Sequence, residues 1–219
     1  MRTVIGLLAV CLPFMVMLGY VIVSGQKFVI LDSISAYYYS CARNAFTGTL
    51  CMVGLFLMAY KGYNDRENIT FNIAAGLAVL IALFPMNPCD QCCNFADNFG
   101  PVVSMVHRCW FNYIHFSCAT ALFIILGYAS LFFFTISDKD EPGHKKTQRN
   151  FIYIVCGVII WCALAFYGVY MIMDLKWPHA GFVEFLTNHH VLFFVETTCL
   201  ESFGIAWLIK GEAIGLLND

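Results

Sequence analysis

The sequence predicts an all-α fold: a polytopic membrane bundle of six transmembrane helices with both termini cytoplasmic. Three observations carry this expectation. Of 219 residues, 60% are hydrophobic and only 12% are charged, about half the charged fraction of a soluble globular domain. The apolar residues fall into runs of roughly the 17 to 25 residues that a helix needs to cross a hydrocarbon core about 30 Å thick. The runs are continuous, without the period-2 alternation of a barrel strand, so helices are the expected spanning element.

The first run is Val4 to Val23, preceded by Arg2. The same pattern fits a cleaved secretory signal. The run is longer than a signal's apolar region, however, and Leu18 to Gly25 offers no small-x-small cleavage site, so it is read as a membrane helix. The second run is 44–60. The third, 71–86, is stopped by Pro85 and Pro88, neither of which can continue a helix without losing a backbone hydrogen bond. The fourth, fifth and sixth are 113–136, 151–173 and 189–208. The polar stretch 137–150 is read as an inner solvated loop that divides the chain into two groups of three helices. That count is shared with inverted-repeat transporters, but the two halves do not align. The whole chain, 1–219, is one domain.

Orientation follows from the Lys and Arg residues beside the spans. Arg2, Lys61, Arg66, Lys139, Lys145, Lys146, Arg149 and Lys210 fall on the side of the termini; Lys27, Arg43, Arg108 and Lys176 fall opposite. The expected setting is a bacterial inner membrane or its equivalent, with 24–43, 87–112 and 174–188 facing outward. Asn68-Ile-Thr70 has the form of a glycosylation sequon but falls on the inner side. The net charge of -2 is dispersed over short connectors, which argues against nucleic acid as a partner.

Cysteine is abundant, at 11 residues. Cys11, Cys51, Cys118, Cys156, Cys162 and Cys199 lie in apolar helices, where a thiol is a small packing residue. Cys89, Cys92, Cys93 and Cys109 lie in or beside the outward loop 87–112, and Cys41 precedes the second helix. On an oxidising side these are disulfide candidates, with the pairing open. A rival reading is a zinc or redox site on Cys89-Asp-Gln-Cys92 with His107 and Cys109.

The histidines concentrate at one end: His107, His115, His179, His189 and His190 are outward and only His144 is inward. Asp32, Asp174, Glu184, Glu196, Ser33, Ser35 and Tyr37-Tyr38-Tyr39 share the outward half. A preference of His and Tyr for the membrane interface accounts for part of this pattern. Glu196 and Glu201 are harder to assign to an interface, because Glu201 falls near mid-membrane, where ionisable groups are costly and usually face the bundle interior. A structural role, pairing with Arg43, Asn44 or hydroxyls of neighbouring helices, is one reading of both. The sixth helix alone cannot build a metal site, since His189 and Glu196, or His190 and Glu201, are separated by about 10 Å or more along its axis. A zinc site would need His115 to converge with His189 or His190 and with Asp32.

Several segments together carry a resemblance. They are Leu31-Asp-Ser-Ile-Ser-Ala-Tyr-Tyr-Tyr39, Arg43-Asn-Ala-Phe-Thr-Gly48, Ala75-Gly-Leu-Ala-Val-Leu-Ile-Ala-Leu-Phe-Pro85 and Ile114-His115-Phe-Ser-Cys-Ala-Thr-Ala-Leu-Phe123. In this order the chain resembles the six-helix bacterial membrane proteins of domain of unknown function 998 and, more distantly, the DRAM-like membrane proteins. The likeness covers about the first 135 residues, and the Cys-rich loop departs from it. What it implies is architecture and no particular activity.

The functional expectation is a polar cavity opening outward, lined by Ser33, Ser35, Tyr38, Arg43, His115, His189, His190, Glu196 and Glu201. It would bind a lipid or other amphiphile, or the chain would serve as a membrane subunit of a complex, with membrane lipids, other subunits or a second copy as partners. Gly48, Gly54, Ala74, Ala75 and Gly76 would let helices approach closely. Two alternatives stand beside this reading. One is a metal-dependent lipid hydrolase at the outer leaflet, with His115, His189 and Asp32 as candidate ligands and zinc as a possible metal. The other is a proton-coupled transporter or channel with Glu196 and Glu201 as the relay.

Overall fold

The computed structural model describes residues 1–25, 28–86, 109–136 and 143–215, and over these residues the chain is helical without strands. The elements are α1 (Arg2–Ser24), a short 3-10 helix (Ser35–Tyr39), α2 (Arg43–Ala59), α3 (Asp65–Leu83), α4 (Cys109–Tyr128), α5 (His144–Lys176), α6 (Gly181–Asn188) and α7 (Val191–Lys210). A π-helical turn, Ala129–Phe133, prolongs α4. Five segments are long and apolar enough to cross a membrane: α1, α3, α4 with its π turn, α5 and α7. The apolar α2, of 17 residues, is shorter.

Three of the differences from the sequence expectation have a clear local reason. Helix α3 begins at Asp65 instead of 71, because the Asn64 side chain accepts the Glu67 N–H at 2.9 Å and caps the first turn, where Asp65 and Glu67 also complement the helix dipole. Helix α5 begins at His144 and takes in half of the expected loop. Lys145, Lys146, Gln148 and Arg149 are good helix formers, and the result is a helix of 33 residues. Helix α6 lies in the expected connector 174–188; Phe182, Val183, Phe185 and Leu186 give it an apolar side. Helix α1 ends as expected of a glycine cap: Gly25 has φ 64 and its N–H reaches the Val21 carbonyl.

Helix α7 is the hub, packed against both α1 and α5. A Cβ on Gly6 would lie 2.8 Å from the Gly204 carbonyl oxygen, and one on Gly204 would lie 2.5 Å from a Val10 methyl. The α1–α7 contact therefore depends on backbones approaching without side chains between them. Gly54 and Ala75 play a similar part between α2 and α3, whereas Gly48 and Gly76 meet nothing within 4 Å. The core at the termini's end is aromatic. Trp207 is fully buried, with Tyr60, Phe71 and Phe134 ring centroids 5.0, 5.4 and 5.2 Å away in the edge-to-face arrangements that ring quadrupoles favour.

The two ends of the bundle are distinct. At one, Thr3 donates to the Gly211 carbonyl at 3.1 Å, Arg2 lies over the Tyr60 ring and Lys146 donates to the Phe134 carbonyl. At the other, the Phe193 N–H donates to the Asp32 carbonyl at 3.0 Å and the Tyr39 hydroxyl donates to the Met86 carbonyl at 2.5 Å. The outer wall between them carries large exposed apolar side chains, including Leu18, Ile22, Leu55, Val169 and Ile172. So much exposed apolar surface is foreign to a protein solvated by water.

Candidate functional site

The connector between α1 and α2 folds into the end of the bundle instead of arching over it: Ser33, Tyr37 and Tyr39 are all essentially buried. A polar backbone placed there needs partners, and α7 supplies the main one. Glu196, 9% exposed, accepts the Ile34 N–H at Oε2 over 2.6 Å, and its Oε1 lies 3.3 Å from Ser35 Oγ. Glu196 thus binds the Ile34 N–H at the start of the 3-10 helix from a distant helix, alongside the cap that Ser33 gives the Ala36 N–H from within the connector.

Ser35 links Glu196 to His115. Its Oγ is 3.0 Å from His115 Nε2, and His115 Nδ1 is 2.7 Å from the Phe84 carbonyl oxygen. A carbonyl only accepts, so Nδ1 carries a proton. The chain from Nε2 through Oγ to Oε1 then holds two contacts, while serine brings one proton. Both contacts are hydrogen bonds only when a second proton is present, on Nε2 or on the Glu196 carboxyl. The cluster is thus a buried one-proton site. Ser35 and His115 also have the spacing of a nucleophile and its base, but the Ile34 N–H beside them is taken by Glu196 and is not available to an oxyanion.

Other polar residues pair separately. Asp32 Oδ1 is 2.8 Å from His190 Nδ1. His190 stands between α6 and α7 with φ 54 and ψ 47, a left-handed conformation that histidine tolerates better than most residues but still at a cost. Arg43 donates to the Tyr38 hydroxyl at 2.6 Å and stacks on its ring. Ser33 Oγ accepts the Ala36 N–H at 2.9 Å. His189 is spent locally, with Nδ1 2.7 Å from the Phe185 carbonyl and its ring stacked on Phe185.

The expected cavity residues therefore fall into separate groups. Ser35, His115 and Glu196 are brought together; Asp32 joins His190; Tyr38 joins Arg43; Ser33 stabilises its own turn. Glu201 is apart from Glu196, since five residues of helix turn the two about 140° from each other. His115, His189 and Asp32 do not converge, and among the described residues no three His, Cys, Asp or Glu side chains are arranged to hold a metal ion. Cys89, Cys92, Cys93 and the side chain of Cys109 lie outside the described residues, and Cys41 is a free thiol.

The spaces around these groups are of two kinds. A cavity of about 40 Å³ touches Ser35, Glu196, Leu12 and Phe46, and one of about 30 Å³ touches His115, Glu196, Thr120 and Tyr167. Each has room for a water or two and for nothing larger. On the outer wall, by contrast, a groove of about 540 Å³ runs between α5, α6 and α7, with Ile159, Ala163, Phe166, Leu186, His189 and Thr198 in its lining.

The other end of the bundle holds a polar residue that the sequence reading passed over. Glu67 is fully buried; it accepts from the Tyr60 hydroxyl at 2.9 Å and from the Tyr63 N–H at 2.8 Å. Burial, and after it the Glu67 carboxylate, holds the Tyr60 hydroxyl well above the usual tyrosine range. Lys210, also buried, lies over the Tyr63 ring. The signal was present in Asn64-Asp-Arg-Glu67, the spacing of a capping box.

No family model, curated protein or solved structure matches this chain.

Proposed function

We propose that the chain is a six-span integral membrane protein that holds a lipid or other amphiphile in the groove between α5, α6 and α7, at the end opposite its termini. The observation that carries this reading is the groove itself. At about 540 Å³ it falls in the range of ligand-sized sites, and its lining is apolar apart from Thr198 and the imidazole of His189 at the α6–α7 turn. Such a lining suits an alkyl tail, with a polar group at the level of the histidine. The small cavities beside Glu196 are too small for such a ligand, so the buried cluster of Ser35, His115 and Glu196 acts as the rigid floor behind the groove. Val195 lines both the groove and the cavity next to His115.

In this reading α2 is the sixth span, and both termini face the cytoplasm of a bacterial inner membrane or its equivalent. Supporting the orientation, eight of the 12 Lys and Arg residues fall on the side of the termini. Membership of domain of unknown function 998 belongs to the same proposal, supported by the segments 31–39 and 43–48, which supply Ser35, Tyr38 and Arg43.

The test is mass spectrometry of lipids retained through mild detergent purification. Wild type should keep a bound lipid, and Ala163→Trp or Thr198→Trp, which fill the groove, should lower its occupancy at least about fivefold. Unchanged occupancy in both variants overturns the proposal. A second reading, proton-coupled transport, is favoured by the one-proton chain through Ser35. It predicts a pH-driven flux in liposomes that is lost in Glu196→Gln, and it fails if the flux is the same in both.

A further inference from the structure

The groove between α5, α6 and α7 has two matched walls. Ile159, Ala163 and Phe166 on α5 and Val191, Val195 and Thr198 on α7 line it at the same spacing, four and then three residues apart. Each wall is therefore one helix face about 10 Å long. No Lys, Arg, Asp or Glu among the described residues lines the groove. At the same end of the bundle, Arg43 is engaged by Tyr38 and Asp32 by His190. Glu184 lies 3.9 Å from His179 and about 160° around α6 from Leu186, the residue that α6 turns into the groove. A ligand charge seated here would meet no counter-charge, and an unpaired charge taken out of water is costly.

The polar residue at the outer end of the groove is His189, where α6 hands over to α7. Its ring is held from two sides: it stacks on the Phe185 ring at 4.1 Å, and Nδ1 lies 2.7 Å from the Phe185 carbonyl oxygen. A carbonyl only accepts, so Nδ1 carries a proton. In the neutral ring Nε2 is then an acceptor alone, and it makes no hydrogen bond among the described residues. Such a nitrogen is matched by a donor, and the donor that brings no charge into the groove is a hydroxyl. We infer that the groove selects an uncharged lipid whose head is a free hydroxyl, as in a long-chain alcohol or a monoacylglycerol, with that hydroxyl donating to His189 Nε2 and the alkyl chain lying between the α5 and α7 faces. This inference rests on the groove holding a lipid, as proposed above, and adds the class of head that it takes.

The test is equilibrium binding of tritiated oleyl alcohol to the purified protein in detergent, with oleate, oleylamine and oleyl methyl ether as competitors that share the chain and differ in the head. Wild type should bind the alcohol saturably and at least about tenfold more tightly than the anion or the cation. The ether, which lacks the O–H, should bind about fivefold more weakly than the alcohol, the effect of one hydrogen bond. His189→Phe keeps a ring on Phe185 without the acceptor and should erase the difference between alcohol and ether. Oleate or oleylamine binding as tightly as the alcohol overturns the inference, as does an ether equal to the alcohol on wild type or a difference that survives in His189→Phe; the groove itself still stands if Ala163→Trp blocks the probes that bind. Absence of saturable binding by every probe, or binding that Ala163→Trp leaves unaltered, overturns the groove and this inference with it.

Discussion

Glu196 and Ile34 stand 162 residues apart in the chain and 2.6 Å apart in the fold, a contact that holds the buried 3-10 helix against α7. Removing the acceptor leaves a buried N–H without a partner, which costs about 1–3 kcal/mol. Glu196→Ala should therefore lower stability by about 2 kcal/mol, measured by thermal unfolding in detergent. Glu196→Gln keeps an acceptor oxygen and should lose clearly less. Equal losses would mean that Ile34 does not depend on this oxygen.

The Asp32–His190 pair acts at the strained turn before α7. Both side chains are partly exposed, 45% and 24%, so water screens the pair and its coupling should stay below about 1 kcal/mol. A double-mutant cycle with Asp32→Ala and His190→Ala measures it. In the Asp32→Ala background, His190→Gly should be stabilising by up to about 1 kcal/mol, because glycine adopts the left-handed conformation without penalty. A further loss on adding the glycine would contradict the strain assigned to this residue.

At the α1–α7 crossing the backbone itself is the contact surface. Gly204→Ala places a methyl 2.5 Å from a Val10 side-chain carbon, and overpacking of this kind costs about 1–3 kcal/mol. Gly48→Ala, where nothing lies within 4 Å, should be neutral or slightly stabilising through helix propensity. The two melting temperatures, compared under one set of conditions, give the answer; a similar fall in both would place the contact elsewhere.

The helical class, the apolar character and the positions of the long runs were legible because they depend on composition and period alone. Ser35, His115 and Glu196 were legible as a polar group at one end. Their connectivity was not, since it depends on how the connector 28–42 folds into the bundle, and no pattern in that segment announces its burial. Glu201 is expected beside Glu196 in one cavity, but the two stand about 140° apart on α7. The 100° step from Glu196 was available in the sequence, but which arc of α7 meets α1 and α5 was not. For Glu67 the sequence offers only Asn64-Asp-Arg-Glu67, which signals a helix start but not the burial of the carboxylate.

Glu67 gives a prediction for its own end of the bundle. Glu67→Ala removes acceptors from the Tyr60 hydroxyl and the Tyr63 N–H together, and should cost more than Tyr60→Phe, which removes one donor and leaves the carboxylate its backbone partner. The expected ordering of melting temperatures is wild type, then Tyr60→Phe, then Glu67→Ala, with about 1 kcal/mol or more between the last two. The reverse ordering would show that the tyrosine, not the carboxylate, organises the α2–α3 turn.

Beneath all of these lies the claim that the exposed apolar wall is wetted by hydrocarbon. Spin labels placed singly at Val155, Val158, Phe166 and Val169 on α5, all exposed, report this directly in a reconstituted bilayer through collisions with oxygen and with a water-soluble nickel chelate. The account predicts high oxygen and low nickel accessibility at all four positions, whereas nickel accessibility as high as that of a label at the polar residue Thr147 would contradict it.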